Sequence, residues 1–309
     1  VEKGLIIRST GLWYEVLGQD SRKMYKGRLR GKLKLKESKV TNPIAVGDYV
    51  EIELENEKEG TVQINEIFER ENYIVRQSTH KTAHGHVLAA NIDQAFLIAT
   101  LTMPRTSLGF IDRFLVSAES SHIPTYIIFN KIDLLDEEHL EYIQILKQLY
   151  EGLGYPCYAI SALQKDTLEE LKKLIKGKKT LISGHSGVGK STLLNELTPH
   201  AQQKTSEISS FANKGVHTTT FAEMFDLGED TFLIDTPGIK ELGIIGLGEQ
   251  ELTFYFPEMK ELQGKCRYYN CTHRHEPSCA VIQAVEDGKI AITRYESYVS
   301  IFEAHDNRK

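Results

Sequence analysis

The sequence has little cysteine, no long apolar run and no excess of basic residues, and each shortage removes a class of protein. Four cysteines in 309 residues do not make a disulfide scaffold. The longest apolar stretches, such as Ala95–Leu101 and Tyr126–Phe129, are far too short to cross a bilayer. The first residues, Val1-Glu2-Lys3-Gly4, lack the charged-then-apolar pattern of a secretory leader. A net charge of −6 argues against wholesale coating of nucleic acid, yet leaves room for a local basic patch. No internal repeat and no low-complexity tract is visible. With 40% hydrophobic and 26% charged residues the chain is ordinary globular material, long enough for about two average domains. The expectation is a soluble, cytoplasmic, monomeric protein that makes no membrane contact.

What is present divides the chain in three. Lys3–Thr10, Leu12–Leu17, Arg22–Leu29, Val46–Leu54 and Thr61–Phe68 alternate or run apolar between Gly, Asp, Asn and Pro turn signals. Five such strands predict a small Greek-key β-barrel of the OB type over residues 1–71, although periodicity alone does not separate it from an SH3-like barrel. Arg22–Lys39 carries nine Lys/Arg and one acid, Glu37; it reads as an RNA-facing patch or as a solvated edge that blocks strand pairing. Glu69–Ala90 is polar and His-rich and reads as a linker. Strands and helices then alternate through residues 72–247, the signature of a mostly parallel α/β sheet. Residues 248–309 read as short helices around a Cys/His cluster.

The chemistry is concentrated in four short segments. Gly184-His185-Ser186-Gly187-Val188-Gly189-Lys190-Ser191 fits the P-loop pattern, follows the apolar strand Thr180–Ser183 and opens a helix that continues through Thr192. Its glycines let backbone N–H groups wrap phosphates, aided by the helix N-terminus. Lys190 is placed to reach the β and γ phosphates and Ser191 to ligate Mg²⁺. Asn130-Lys131-Ile132-Asp133 follows the strand Thr125–Phe129. A carboxylate accepts two hydrogen bonds at once, which suits the adjacent N1–H and N2–H₂ of guanine and not adenine. Asn130 is expected to tie this loop to the phosphate loop, and the Lys131 stem to cover the base. Ser161-Ala162 ends the next strand, where small residues let backbone N–H groups approach a base oxygen. Asp235-Thr236-Pro237-Gly238 offers a carboxylate for Mg²⁺ through water and the Gly238 N–H for the γ-phosphate. Among Thr218, Thr219 and Thr220, Thr219 is taken as the hydroxyl that completes the Mg²⁺ shell.

These segments favour a GTP hydrolase. A nucleic-acid-binding module that holds GTP structurally is the alternative; an ATPase or small-molecule kinase is disfavoured by Asp133. Ile239 stands where Ras-like enzymes carry a water-orienting Gln. His217 is the first replacement to consider and His185 the second. The order of segments is also unusual, with the base-selecting motif before the phosphate loop. The ordinary six-strand sheet accommodates this if the chain is cut before Ala95 and rejoined before Thr180, a circular permutation.

Cys266-x4-Cys271-x-His273-x5-Cys279 supplies three thiolates and an imidazole, a Cys₃His set for one closed, structural Zn²⁺, with His275 as an alternative fourth ligand. About sixty polar residues rarely build a sufficient core, and a metal supplies the missing stability.

Taken together, Asn130–Asp133, Gly184–Ser191, His217–Thr220, Asp235–Gly238 and the cysteine spacing make the chain resemble the circularly permuted small-subunit biogenesis GTPases of bacteria, the RsgA or YjeQ family. Leu88–Gln94 resembles that family's entry into its GTPase sheet. The resemblance covers essentially the whole chain. It implies an N-terminal OB barrel, a permuted GTPase sheet and a zinc domain, with the small ribosomal subunit and its rRNA as partner.

Overall fold

A computed structural model describes residues 1–30, 43–77, 85–198, 222–236 and 251–306. The N-terminal strands are β1 (Glu2–Ser9), β2 (Tyr14–Gly18), β3 (Met24–Leu29), β4 (Tyr49–Asn56) and β5 (Thr61–Ile67). They pair in the order β1-β2-β3-β5-β4, and β4 returns to β1, closing a five-stranded barrel. The β3–β5 pairing is parallel and the others antiparallel. This is the OB arrangement, so the SH3-like alternative falls away. Ile6, Val16, Val50, Ile52, Val62 and Ile64 fill its interior. β1 is buried on both faces, because Leu5 and Ile7 point out of the barrel into a second core shared with the α/β sheet.

Residues 73–77 and 85–90, within the stretch expected to be a linker, are strands. β6 (Tyr73–Gln77) and β7 (Gly85–Ala90) form an antiparallel hairpin. Ile74, Val87, Leu88, Ala89 and Ala90 of this hairpin are buried, which a count of polar residues does not reveal. The hairpin is stitched to the barrel by Asn91, which donates to the Gly47 carbonyl and accepts from the Glu71 N–H, each at 2.9 Å. A buried Asp48 receives both Nε and a terminal nitrogen of Arg70 at 2.7 Å beside it.

The central sheet comprises β8 (Gln94–Ala99), β9 (Thr125–Phe129), β10 (Cys157–Ala159), β11 (Lys179–Ser183), β12 (Glu223–Asp226) and β13 (Phe232–Asp235), in the order β10-β9-β8-β11-β13-β12. Only β12 runs antiparallel to its neighbour β13. Strands buried on both faces read as continuous apolar runs. In β8, Ala95, Leu97 and Ala99 face one core and Phe96 and Ile98 the other. Helices α1 (Leu108–Ser120) and α2 (Glu137–Gly152) cover the first face; α3 (Glu169–Ile175) and α4 (Lys190–Leu197) cover the second. Ser107 caps α1 by accepting from the Phe110 N–H, and Asp136 caps α2 by accepting from the His139 N–H.

The C-terminal segment holds α5 (Pro257–Lys260), α6 (Ala280–Glu286) and the longer α7 (Ile292–Asp306), so it is not made of short helices alone. It has its own core, built on Phe256, Met259, Val281, Tyr298, Ile301 and Phe302, and borrows Val116 from α1. Docking onto α1 is centred on a buried ion cluster. The Arg294 guanidinium, 1% exposed, reaches Asp112 of α1 at 2.7 Å and Glu258 of α5 at 2.7 Å. Asp112 also accepts from the Tyr150 hydroxyl at 2.9 Å and from Ser297 at 2.5 Å. Among the described residues no helix is long and apolar enough to cross a membrane.

Arg294 is the guanidinium shared by both carboxylates, so removing it leaves buried Asp112 and partly buried Glu258 without their cation. Arg294→Met is expected to lower unfolding stability by about 3–5 kcal/mol. Urea denaturation followed by fluorescence measures this; a loss within ~0.5 kcal/mol of zero would mean that the cluster does not carry the docking.

Candidate active site

Strand β11 runs directly into the loop Gly184–Gly189, and α4 begins at Lys190. Gly184 and Gly189 have φ of +149° and +94°, and a side chain at either would strike the Ile98 carbonyl or the Asn130 amide. The N–H groups of Ser186, Gly187, Val188 and Gly189 donate to no other described residue. A turn of open donors leading into a helix is a ready anion cradle.

Asn130 sits at the centre of the site and is buried. Its amide donates to the Val188 carbonyl at 2.8 Å, and its Oδ1 accepts from the Ala162 N–H at 3.0 Å. One side chain thus joins the base-side loop, the phosphate loop and the Ser161-Ala162 turn. The Ala162 N–H, expected to reach a base oxygen, here serves Asn130. Buried Ser161 is held by Thr167, whose hydroxyl donates to the Ser161 carbonyl at 2.9 Å. Lys131 has a left-handed backbone, φ +66°, and its ammonium bridges the carbonyls of Met103 and Gly187 at 2.8 and 2.7 Å. Its stem therefore spans from the base loop to the rim of the phosphate loop. Ile132 donates its N–H to the Ile160 carbonyl at 3.2 Å, and Asp133 stands exposed in the following turn, engaged with no other described residue.

On the phosphate side, the Lys190 ammonium donates to the carbonyls of Gly184 and His185 at 2.8 and 2.7 Å. Burial pushes its pKa down, and Asp235 opposes this. Asp235, at the end of β13, is pushed up by burial and pulled back by Lys190. Its Oδ1 is buried without a hydrogen-bond partner among the described residues. An orphaned carboxylate oxygen at the end of β13 and the exposed hydroxyl of Ser191 at the start of α4 are oxygen donors of the kind that suits a hard cation such as Mg²⁺. The His185 ring packs on Phe110 of α1, centroids 3.6 Å apart, and burial together with Lys190 keeps its pKa below the ordinary histidine value. Thr219, His217 and Gly238, and with them Ile239, lie outside the described residues, as does the basic run beyond Arg30.

Cys266, Cys271, His273 and Cys279 converge, with all four ligand atoms within 4.8 Å of one another. Cys266 Sγ lies 3.9 Å from Cys279 Sγ, and His273 Nδ1 lies 3.5 and 3.3 Å from these two sulfurs. Tetrahedral bonds of about 2.3 Å to sulfur and about 2.0 Å to nitrogen require ligand edges of roughly 3.5–3.8 Å, so the cage has the size of a zinc site. His275 is exposed and outside the group. Cys279 also caps α6, its sulfur accepting from the Ile282 N–H.

The sequence pattern of the RsgA GTPase family matches residues 67–245, and that of the RsgA N-terminal domain matches residues 3–62. The chain belongs to the RsgA GTPase family. The small ribosomal subunit biogenesis GTPase RsgA of Cytophaga hutchinsonii is 50% identical over 307 residues, 99% of this chain and 100% of that protein. Its Bacteroides fragilis counterpart is 48% identical over 307 residues, covering 99% and 98%. The crystal structure of YjeQ from Thermotoga maritima superposes with a TM-score of 0.78 at 34% identity over 98% of each chain. YloQ, described as a circularly permuted GTPase, gives 0.75 at 32% identity over 100% of this chain and 96% of that one. Membership in an RsgA family of GTP hydrolases sets the enzyme above the structural-nucleotide alternative.

Two features of this RsgA-family chain have no motif in the sequence. One is the Arg294 cluster, whose members are 36 to 182 residues apart. The other is Glu276, which accepts from the Thr272 N–H and hydroxyl and the Arg274 N–H around the cysteine knuckle. Burial raises its pKa, but these hydrogen bonds outweigh burial and hold it well below the usual carboxylate range. A Glu among ligands that are Cys and His gives no pattern to notice.

The cage predicts one zinc per chain in protein purified without chelators. Cys271→Ser is expected to bring zinc content close to none while the parallel sheet stays folded. Elemental analysis with circular dichroism checks both; a zinc-free wild type would contradict the assignment.

Proposed function

We propose that the chain binds GTP at the junction of the 130–133, 161–162 and 184–192 segments, hydrolyses it to GDP and phosphate, and serves as a switch in maturation of the small ribosomal subunit. Its working parts are an OB barrel over residues 1–71, the permuted GTPase over 72–247 and a zinc-binding unit over 248–309. The observation that carries the reading is Asn130, which fixes a base-side carboxylate, Asp133, in register with the phosphate cradle.

The residues divide the work. Asp133 accepts from N1–H and N2–H₂ of guanine, and the Lys131 stem lies along the base. The open N–H groups of the phosphate loop receive the β-phosphate. Lys190 gives up its contacts with the Gly184 and His185 carbonyls for β and γ oxygens, exchanging neutral acceptors for charged ones. Ser191 and Thr219 would ligate Mg²⁺, supported by the Asp235 carboxylate. When bound, Mg²⁺ neutralises charge that develops on the transferred phosphoryl group. Gly238 presents an N–H to the γ-phosphate. With Ile239 in place of an amide side chain, orientation of the attacking water falls to His217 or to a partner. Catalysis here is positioning and electrostatics, so a partner that locks the switch accelerates it without new covalent chemistry.

The names of the relatives point to the small ribosomal subunit as that partner. Arg22–Lys39 offers contacts to rRNA phosphates, and such contacts release counterions and weaken with salt.

Two experiments test the reading. Asp133→Asn is expected to weaken GTP binding by about 1.5–3 kcal/mol and to favour XTP, since the amide donates where the carboxylate accepted. Unchanged competition by GTP, with no gain for XTP, would refute the base assignment. Turnover of the isolated protein is expected well below ~1 s⁻¹ and to rise with small subunits, an effect that fades with added salt or when Lys32, Lys34 and Lys36 become Glu. Equal binding of subunits in the GTP and GDP states, with an unchanged rate, would sink the ribosome-linked switch. Stimulation that persists in the triple variant would keep the switch and reduce the basic run to a solvated edge.

A further inference from the structure

The barrel and the parallel sheet are hydrogen-bonded to each other at one rung, where Arg8 of β1 lies opposite Glu223 of β12. The same row continues on both sides. Arg8 also faces Glu15 of β2, and Glu15 faces Lys26 of β3. In the other direction Glu223 faces Asp235 of β13. Residues directly opposed in a sheet project to the same face with Cβ atoms about 5 Å apart. The row therefore reads Lys26, Glu15, Arg8, Glu223, Asp235 across five strands. It starts on the exposed flank of the barrel and ends at the carboxylate that Lys190 faces in the nucleotide site. The signs alternate until the last step, where two carboxylates meet.

Side-chain geometry and electrostatics follow the backbone register. The Arg8 guanidinium stands 3.6 Å from the Glu223 carboxylate, the two side chains 42% and 28% exposed. Burial pushes the Glu223 carboxyl up, Arg8 pulls it down, and Glu15 and Asp235 push it up again. Glu223 thus senses the barrel on one side and the phosphate-side carboxylate on the other.

We propose that Glu223 is a positioning residue of the nucleotide site, acting through Asp235, and that Arg8 on the barrel sets how strongly it acts. This rests on the GTPase reading above and adds a route by which the barrel and the nucleotide site communicate. The ionised Glu223 adds negative potential on the side of Asp235 where a divalent cation is taken. Arg8 cancels part of that potential. A polyanion that draws Arg8 onto its phosphates uncovers Glu223 and tightens cation retention. Loss of the Glu223 charge loosens it. For half-exposed groups at this separation the effect is roughly three- to tenfold.

The test is the Mg²⁺ dependence of fluorescent GDP release from the full chain, which needs no turnover. The Mg²⁺ concentration for half-maximal retention is expected to fall roughly three- to tenfold in Arg8→Gln, to rise by a similar factor in Glu223→Gln, and to stay put in Arg8→Lys. In the Arg8→Gln, Glu223→Gln double variant the two opposite shifts are expected to cancel, returning the midpoint close to the wild-type value. Thermal melting of each variant verifies the fold, and Glu223→Gln keeps the test decisive if Arg8→Gln is unstable. Unmoved midpoints in both single variants would overturn the proposal. So would shifts of the same direction in Arg8→Gln and Glu223→Gln, because the two opposite charges would then not be acting through a shared potential. Failure of the GTPase reading shows up separately, as a wild type that does not bind the fluorescent GDP.

Discussion

The Asn130 amide is the part on which the rest of the site depends. Its two ends are chemically different, and both are used: the NH₂ on the Val188 carbonyl and the oxygen on the Ala162 N–H. Reversal would set acceptor against acceptor at the Val188 carbonyl and donor against donor at the Ala162 N–H. The side chain therefore fixes three loops, those that follow β9, β10 and, across β8, β11, in one relative arrangement. Gly189 exists in its left-handed form to make room for that amide. Placement of Asp133 relative to the phosphate cradle follows from this, because both are attached to the same knot. Permutation of the chain does not disturb it, since the knot is tied in space across the carboxyl ends of the strands.

A second buried polar element holds the C-terminal unit against the α/β sheet, and it works differently. The Arg294 guanidinium and the Asp112 carboxylate are buried, and the guanidinium also lies over the Phe256 ring at 4.6 Å. An apolar contact of the same size would tolerate sliding. A hydrogen-bonded ion cluster does not, because each displaced bond leaves a buried charge. α1 is the common member of both arrangements. Its first turn carries Phe110 against His185 of the phosphate loop, and its next turn carries Asp112.

Much of this was legible in the sequence, for reasons specific to each segment. The phosphate loop was readable because wrapping phosphates demands glycines at fixed spacing, directly between a strand and a helix. The Asn130–Asp133 segment gained its meaning only from that neighbour. The zinc cage was readable because cysteine is scarce elsewhere in the chain. The hairpin of β6 and β7 was missed because its buried positions are few and lie among polar residues. The Arg294 cluster was missed because an arginine in an amphipathic helix normally faces water. The row from Lys26 to Asp235 depends on strand register between two domains, which no local pattern encodes. The switch threonines and Gly238 were proposed from motifs that lie beyond the described residues.

Cys279 has a double attachment: it belongs to the metal cage and it caps α6. A thiolate is a better acceptor than a thiol, and negative charge is favoured at a helix start. Loading of the metal and initiation of α6 are therefore one equilibrium. Val281, one turn into that helix, belongs to the core that also receives Val116. The C-terminal unit then reaches its final packing on α1 only once the ion has been delivered. Metal supply becomes an assembly checkpoint for the chain.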